Sequence, residues 1–448
     1  MQKIIPIYYS EYGRYINRFR AIPSYIDGLK PVERRLLLTL HEVARKDLVK
    51  SAKVVGNCMA TYHPHGDASL YGTLVNLVYQ GYAIGQGNWG SLGLEDDPPA
   101  SFRYTEIKLE KWVEELAFSY IDYVPYDEFE LEPEPIYLPC PLPLGLIGHG
   151  VTTGISFYRT LIPKYKLGDL AARLYGLLDK KLNKVITPNI KNCIIQETIP
   201  NQIKSILTTG SGTLTIIPDG KLETKYIKIL GRVPTASFNS LIDNSDKLEI
   251  SLNDDSGKEL EITVEPRKRG MDLIALGTKI WDDYLIRNVN FSCLFSDNDG
   301  KVKVYGIDEI LLNNYNLWKY SVKLKRVDDY NKLSNRKVEL MIVQIIRYIF
   351  EQYKSNKVSD IVVKYKELKK TSEINIEIDT YNIDNDKWSK EIKNITEQDI
   401  VDMCNKRSIK NLVETIIDIQ KVENDISSAK TLITSSEKDC FKYIGQLK

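Results

Sequence analysis

Five prolines fall between Pro133 and Pro143, inside the acidic stretch YDEFELEPEPIYLPCPLPLG. Each lacks a backbone N–H and has its φ fixed near about −65°, so neither a helix interior nor a central strand can run through this stretch. The chain must therefore break near residues 125–145. At 448 residues with 43% apolar side chains, it is long enough for two to four domains, each with its own core. No run approaches the ~18 apolar residues of a membrane span, and MQKIIPIYYSEYGRYINRFR is too polar for a secretory signal. A soluble intracellular protein is expected. Cys58, Cys140, Cys193, Cys293, Cys404 and Cys440 lie far apart without a C-x-x-C pair, which predicts free thiols rather than disulfides or zinc.

On the N-terminal side of the break the periodicity is helical. Pro31 suits a first turn, and Val32, Leu36, Leu40 and Val43 follow at helical spacing. After the punctuated HPHGD, Leu70, Leu74 and Leu77 repeat behind Asp67, the expected N-cap. Two helices about a Pro/Gly turn make a helix-turn-helix candidate, although many such pairs are packing units only. A helix over about Lys108–Tyr120 is expected next. Beyond the prolines, residues 190–310 are strand-rich, with turn signals in IIPDGKLE and LNDDSGKELEITVE. From about Asn313 apolar residues again recur every three or four: Leu340, Met341, Ile345, Tyr348 and Ile349, then Leu412, Ile416, Ile419, Val422, Ile426, Ala429 and Ile433. This predicts a two-helix arm or coiled coil that could carry a dimer contact. The expected class is an α+β multidomain chain.

The net charge of +1 hides an asymmetry, because residues 1–60 carry eleven Lys or Arg against five acids. Such an excess is either a solvated face or a surface for phosphates. Three motifs bear on this. GQGNWG fits G-x-G-x-x-G, but SLGLEDDPPAS cannot begin the helix that a dinucleotide site needs, so close backbone approach explains the glycines better. His63, His65 and Asp67 fit the metal-ligand pattern H-x-H-x-D; only His41 and His149 remain elsewhere, too few for a dinuclear site. Before a helix N-terminus the two imidazoles suit an anion such as phosphate. In FRYTE, Tyr104 is one of 28 tyrosines and would ordinarily be packing. A phenol of ordinary pKa near about 10 attacks poorly unless a cation stabilises its phenolate, and Arg103 is an adjacent permanent cation.

The series RAIPSYIDGLKPVERRLL, KSAKVVGNCMATYHPHGD, GQGNWGS, FRYTEIKL and LGLIGHGVTTGIS resembles the breakage-reunion subunit of type IIA DNA topoisomerases, the family of gyrase A, topoisomerase IV A and the corresponding phage subunits. Weaker likeness continues through LGRVPTASFNSLI, LFSDNDGKVKVYGIDEILL and ITEQDIVDMCNKRSIKNL. The resemblance implies a winged-helix domain with the catalytic tyrosine over residues 1–145. It implies a strand-rich tower over 146–312, and a helical coiled-coil arm with a dimerisation gate over 313–448. Tyr104 takes the place of the nucleophile that stays linked to a DNA 5′-phosphate, and Arg103 that of the transition-state arginine. Arg20, Lys30, His63 and His65 match residues around the scissile phosphate. Arg34, Arg35 and Lys53, from the basic excess, are the further expected DNA contacts. Val151 falls where the family places an apolar wedge that bends DNA, against the plain alternative of a buried valine.

The same resemblance implies double-stranded DNA as substrate, a homodimer, and a partner subunit carrying both the ATPase and the Mg²⁺ carboxylates, in an A2B2-type complex without membrane association. It implies a cytoplasmic, nucleoid-associated location in a bacterial or infected cell. Glu95, Asp96 and Asp97 read as solvated loop, so no metal site is expected on this chain. Ending at Lys448 without a wrapping domain, the chain is expected to relax or decatenate rather than supercoil. Ala68 and Gly72 stand where the family has the serine and acidic residue that anchor quinolones, which predicts weak sensitivity. A DNA-binding protein of the same fold without the chemistry, and a metallohydrolase using HPHGD, are the competing readings.

Overall fold

The computed structural model describes residues 5–90, 98–128, 131–180, 184–231, 235–256, 259–354, 357–371, 394–413 and 419–447. They form two compact units: Met1–Ser321 together with Asp439–Lys448, and Val322–Lys438. Mixed helix and strand content agrees with the α+β expectation. Among the described residues no helix is long and apolar enough to cross a membrane.

The first unit opens with α1 (Ile5–Ile16) and α2 (Pro31–Val43). Pro31 occupies the first turn of α2, and the Glu33 carboxylate accepts from the Lys30 N–H at 2.8 Å, closing that end. β1 (Val49–Lys50) leads into α3 (Ser51–Thr61), and α4 (Asp67–Tyr79) buries Leu70, Leu74 and Leu77 as their spacing predicts. The cap differs from expectation: Gly66 is the N-cap, and Asp67 already lies in the first turn, accepting from the Ala68 N–H. β2 (Ala83–Gln86) and β3 (Glu106–Leu109) complete a sheet of order β1-β3-β2. The helix expected from Lys108 therefore begins later, at Lys111. Ile107 and Leu109 are buried in alternation with Glu106 and Lys108, and both neighbouring strands take up the backbone of this segment.

The proline stretch contributes one short antiparallel pair, β4 (Tyr126–Glu128) with β5 (Pro133–Pro135), and then a buried run through Leu138, Cys140, Leu142, Leu144 and Leu146. At Gly145 it crosses the loop before α2, where the Gly145 N–H donates to the Asp27 carbonyl at 2.9 Å. Gly28, at φ +71°, lies beneath, and a Cβ on Gly145 would sit 1.9 Å from its carbonyl oxygen.

Next come β6 (Val151–Ile155), β7 (Arg159–Pro163), β8 (Cys193–Gln196), β9 (Ser211–Pro218), β10 (Gly220–Leu222), β11 (Ile227–Ile229), β12 (Ile250–Asp254), β13 (Ile262–Pro266) and β14 (Arg287–Ser292). They make an antiparallel sheet of order β6-β7-β14-β9-β8 and a second of order β10-β11-β13-β12. Within LNDDSGKELEITVE the described ends pair antiparallel as β12 and β13. IIPDGKLE does not form one: Asp219 pairs its backbone with Asn192 and Leu230, so β9 and β10 enter different sheets.

In the second unit, Leu340, Met341, Ile345 and Ile349 of the helix Ile307–Tyr353 pack with Ile361, Tyr365, Ile400 and Leu412. Val422 lies against that core; Ile416 falls outside the described residues. All six cysteines are free, and burial pushes the thiols of Cys58, Cys140 and Cys293 up to about 11, about 12 and about 12.

Gly145→Ala is expected to lower unfolding stability by about 3 kcal/mol or to prevent folding, since backbone must move to admit the methyl. Gly277→Ala, in the helix Leu273–Ile280 with only one ordinary contact at 3.4 Å, should be neutral or stabilise by about 0.5–1 kcal/mol. Urea unfolding of both variants measures the contrast.

Candidate active site

The turn that carries Tyr104 is built from beneath. Thr105 is buried, and its hydroxyl donates to Ser51 Oγ at 2.8 Å. The Tyr71 hydroxyl lies 3.1 Å from Thr105 Oγ1 and donates to the Ala100 carbonyl at 2.6 Å. The N–H groups of Ser51 and Ala52, at the start of α3, donate to the carbonyls of Thr105 and Phe102. Gly87, at φ +99°, passes so close that a Cβ there would lie 3.3 Å from the Tyr104 carbonyl. The glycine-rich segment thus admits close backbone approach, as its sequence suggested, and what approaches is this turn. Tyr104 itself is 64% exposed. The guanidinium carbon of the exposed Arg103 stands 4.9 Å from the centre of the Tyr104 ring, so the two neighbouring side chains do converge. Tyr71, Ser51 and Thr105 escaped sequence reasoning, because their bonds join positions 29 to 54 residues apart.

A cleft of about 1120 Å³ brings together Arg20, Lys30, His63 and His65, with Ala68 and Gly72 on its α4 wall. The histidine rings stack with centroids 4.5 Å apart at the start of α4, and His65 Nδ1 is buried with no hydrogen-bond partner among the described residues. A helix N-terminus, two imidazoles and two cations form an arrangement suited to a phosphate group. Lys53 is exposed on α3 and Tyr104 on its turn; neither lines this cleft.

Val151 lines a second cavity of about 920 Å³, which shares Asn76 and Thr153 with the first. It is 37% exposed, so the buried-valine reading does not hold. The turn before it is fixed: His149 Nε2 pairs with the Tyr79 carbonyl at 2.8 Å, and Asn189 donates to the Gly148 carbonyl at 2.6 Å.

Arg34 and Arg35, expected as DNA contacts, are buried and paired with carboxylates in this structure. Arg34 Nε and Nη2 donate to Asp27 at 2.8 and 3.1 Å, and Arg35 is 1% exposed with its Nη2 2.7 Å from Glu134. Burial alone would lower the Arg34 pKa, and the charge and hydrogen bonds of Asp27 reverse this to a net rise. Both guanidiniums are committed to buried carboxylates because two adjacent positions on a helix enclosed this fully cannot both reach solvent. Among the described residues no three His, Cys, Asp or Glu side chains gather to hold a metal ion. Glu95, Asp96 and Asp97 lie outside the described residues.

A profile of the A-subunit family of DNA gyrase and topoisomerase IV matches residues 20–441, a span that includes Arg20, Lys30, both stacked histidines, Tyr104 and Val151. The chain belongs to this family. Among its relatives, the gyrase A protein of Clostridium acetobutylicum is 28% identical over 369 residues, covering 73% of this chain and 43% of that protein. The topoisomerase IV A protein of Staphylococcus aureus is 31% identical over 348 residues, 68% of this chain and 41% of its own length. The Staphylococcus epidermidis counterpart is 29% identical over 351 residues, 69% and 42% of the two chains. This member of the family thus spans about two fifths of the length of the curated relatives it matches.

Arg34→Ala should cost about 3–5 kcal/mol by leaving Asp27 charged and unpaired, whereas exposed Arg20→Gln should change stability by no more than about 0.5 kcal/mol. Thermal and urea unfolding, read by circular dichroism, check both.

Proposed function

We propose that this chain is the DNA breakage-reunion subunit of a type IIA topoisomerase, with Tyr104 as nucleophile. The phenolic oxygen of Tyr104 attacks a backbone phosphorus, its proton leaves, and the P–O3′ bond breaks. The 3′ oxygen departs as a hydroxyl after taking up a proton, and the 5′-phosphate remains on the tyrosine. The reverse attack reseals the strand. Two copies of the chain acting on opposite strands open a gate for a second duplex. The observation that carries this reading is the convergence of Arg103 on an exposed, firmly seated Tyr104 within a family match that covers both.

The remaining geometry supports it. Arg20 and Lys30 supply dispersed positive charge and the histidines supply donors, which is what a phosphoryl transition state needs. Partly exposed Val151, in a cavity that shares Asn76 and Thr153 with the cationic cleft, suits an apolar wedge into a base step. Helices α2, α3 and α4 with the three-stranded sheet support a winged-helix reading of the N-terminal region, the sheets before residue 312 a tower, and the helical second unit an arm with a dimer gate. In this reading Mg²⁺ and ATP belong to a second subunit of an A2B2 complex.

Denaturing the partner-reconstituted protein on duplex DNA with Mg²⁺ should trap a DNA 5′ end on Tyr104. Tyr104→Phe should abolish that adduct and leave duplex binding within about twofold. Binding without any adduct in the wild type would make the chain a DNA-binding protein of the same fold. Arg20→Gln and Lys30→Gln should each reduce the slope of log affinity against log salt by about 1. Ala68→Ser combined with Gly72→Glu should raise quinolone sensitivity by about tenfold or more in cleavage assays; an unchanged response would show that the bare α4 wall is not what limits the drug.

A further inference from the structure

Buried behind His63, one of the residues that line the cleft, Arg35 makes a bond that fixes the state of this neighbour. Its Nε lies 3.0 and 2.9 Å from the two Glu134 oxygens and its Nη2 2.7 Å from Oε1, so β5 holds the guanidinium in place. Its Nη1 lies 2.8 Å from His63 Nδ1. A guanidinium only donates, and it stays charged at any pH a folded protein survives. His63 Nδ1 must therefore accept, which leaves the ring proton on Nε2. A doubly protonated ring would set N–H against N–H beside a fixed cation, an arrangement this contact disfavours.

We propose that Arg35, anchored by Glu134, is a positioning residue that holds His63 as the neutral Nε2–H tautomer, so that this ring offers one fixed donor to a phosphate oxygen in the cleft. This rests on the breakage-reunion reading above and deepens it. Charge at the phosphate then comes from Arg20 and Lys30, and direction from His63, which lines the cleft and stacks on His65. A donor oriented before the substrate arrives needs no reorganisation during reaction. Direct contact between Arg35 and DNA would require it to abandon Glu134, which is 5% exposed and would be left as a buried, unpaired carboxylate.

The test has two arms. The protein has four histidines, so ¹⁵N-histidine labelling gives four ring systems, with His63 assigned by loss of its signals in His63→Gln. The expected spectrum at neutral pH, without DNA, shows His63 Nδ1 unprotonated and Nε2 protonated. In the second arm, Arg35→Met combined with Glu134→Leu removes both charges and so leaves no orphan carboxylate. This variant should unfold cooperatively, bind duplex within about threefold of wild type, cleave about 10–100-fold more slowly in single turnover with the partner subunit, and show His63 as a tautomer mixture. A wild-type His63 protonated at Nδ1 overturns the proposal, as does wild-type cleavage by the double variant or a loss of binding as large as the loss of cleavage. Should the double variant not fold, the wild-type spectrum decides alone. Because that spectrum is read without DNA, it stands apart from the Tyr104 adduct, whose absence would instead remove the breakage reading.

Discussion

Two adjacent guanidiniums on α2, each buried against a carboxylate from a different part of the chain, hold the N-terminal half together. A buried cation is tolerated only when its partner is close and fully bonded, so each pair fixes the backbone that brings the partner. Asp27 accepts from Arg34 and from the N–H groups of Leu29 and Leu138, tying the loop before α2 to the proline stretch. Glu134 ties Arg35 to β5. Lys30 then projects from a loop set by Asp27, and His63 stands against a guanidinium set by Glu134. The cleft owes its geometry to these two pairs rather than to the residues that line it.

The Tyr104 turn follows a different logic. It is an exposed element made rigid by small polar groups beneath it: the hydroxyls of Ser51, Thr105 and Tyr71, with glycine at 87 letting the neighbouring strand close in. A side chain that must meet a large ligand has to be accessible, and one that must react in a single geometry has to be fixed. The hydroxyl network meets both demands by leaving the phenol outside and binding the backbone below it.

What could be read in advance, and what could not, follows from the range of the interactions. Local signals held: Pro31 started α2, the leucines at 70, 74 and 77 found the core, and the segments on either side of the turn signal paired as β12 and β13. The motif residues Arg20, Lys30, His63 and His65, separated along the chain, do meet in one cleft. Lys108 departs from its helical pattern because two strands supplied from outside its own stretch claim the backbone around it. Arg34 and Arg35 looked like surface charge because their carboxylates stand seven and 99 residues away, beyond any local pattern. Charge counts give the number of cations on a segment; only the packing around them decides which remain available.

The cysteines carry a practical consequence. Five of the six are buried, and where burial has raised the thiol it is also a poor nucleophile, while Cys193 at the head of β8 is half-open. A maleimide dye applied briefly to the native chain would react there first, giving a nearly uniform fluorescent reporter on the five-stranded sheet without any engineered substitution.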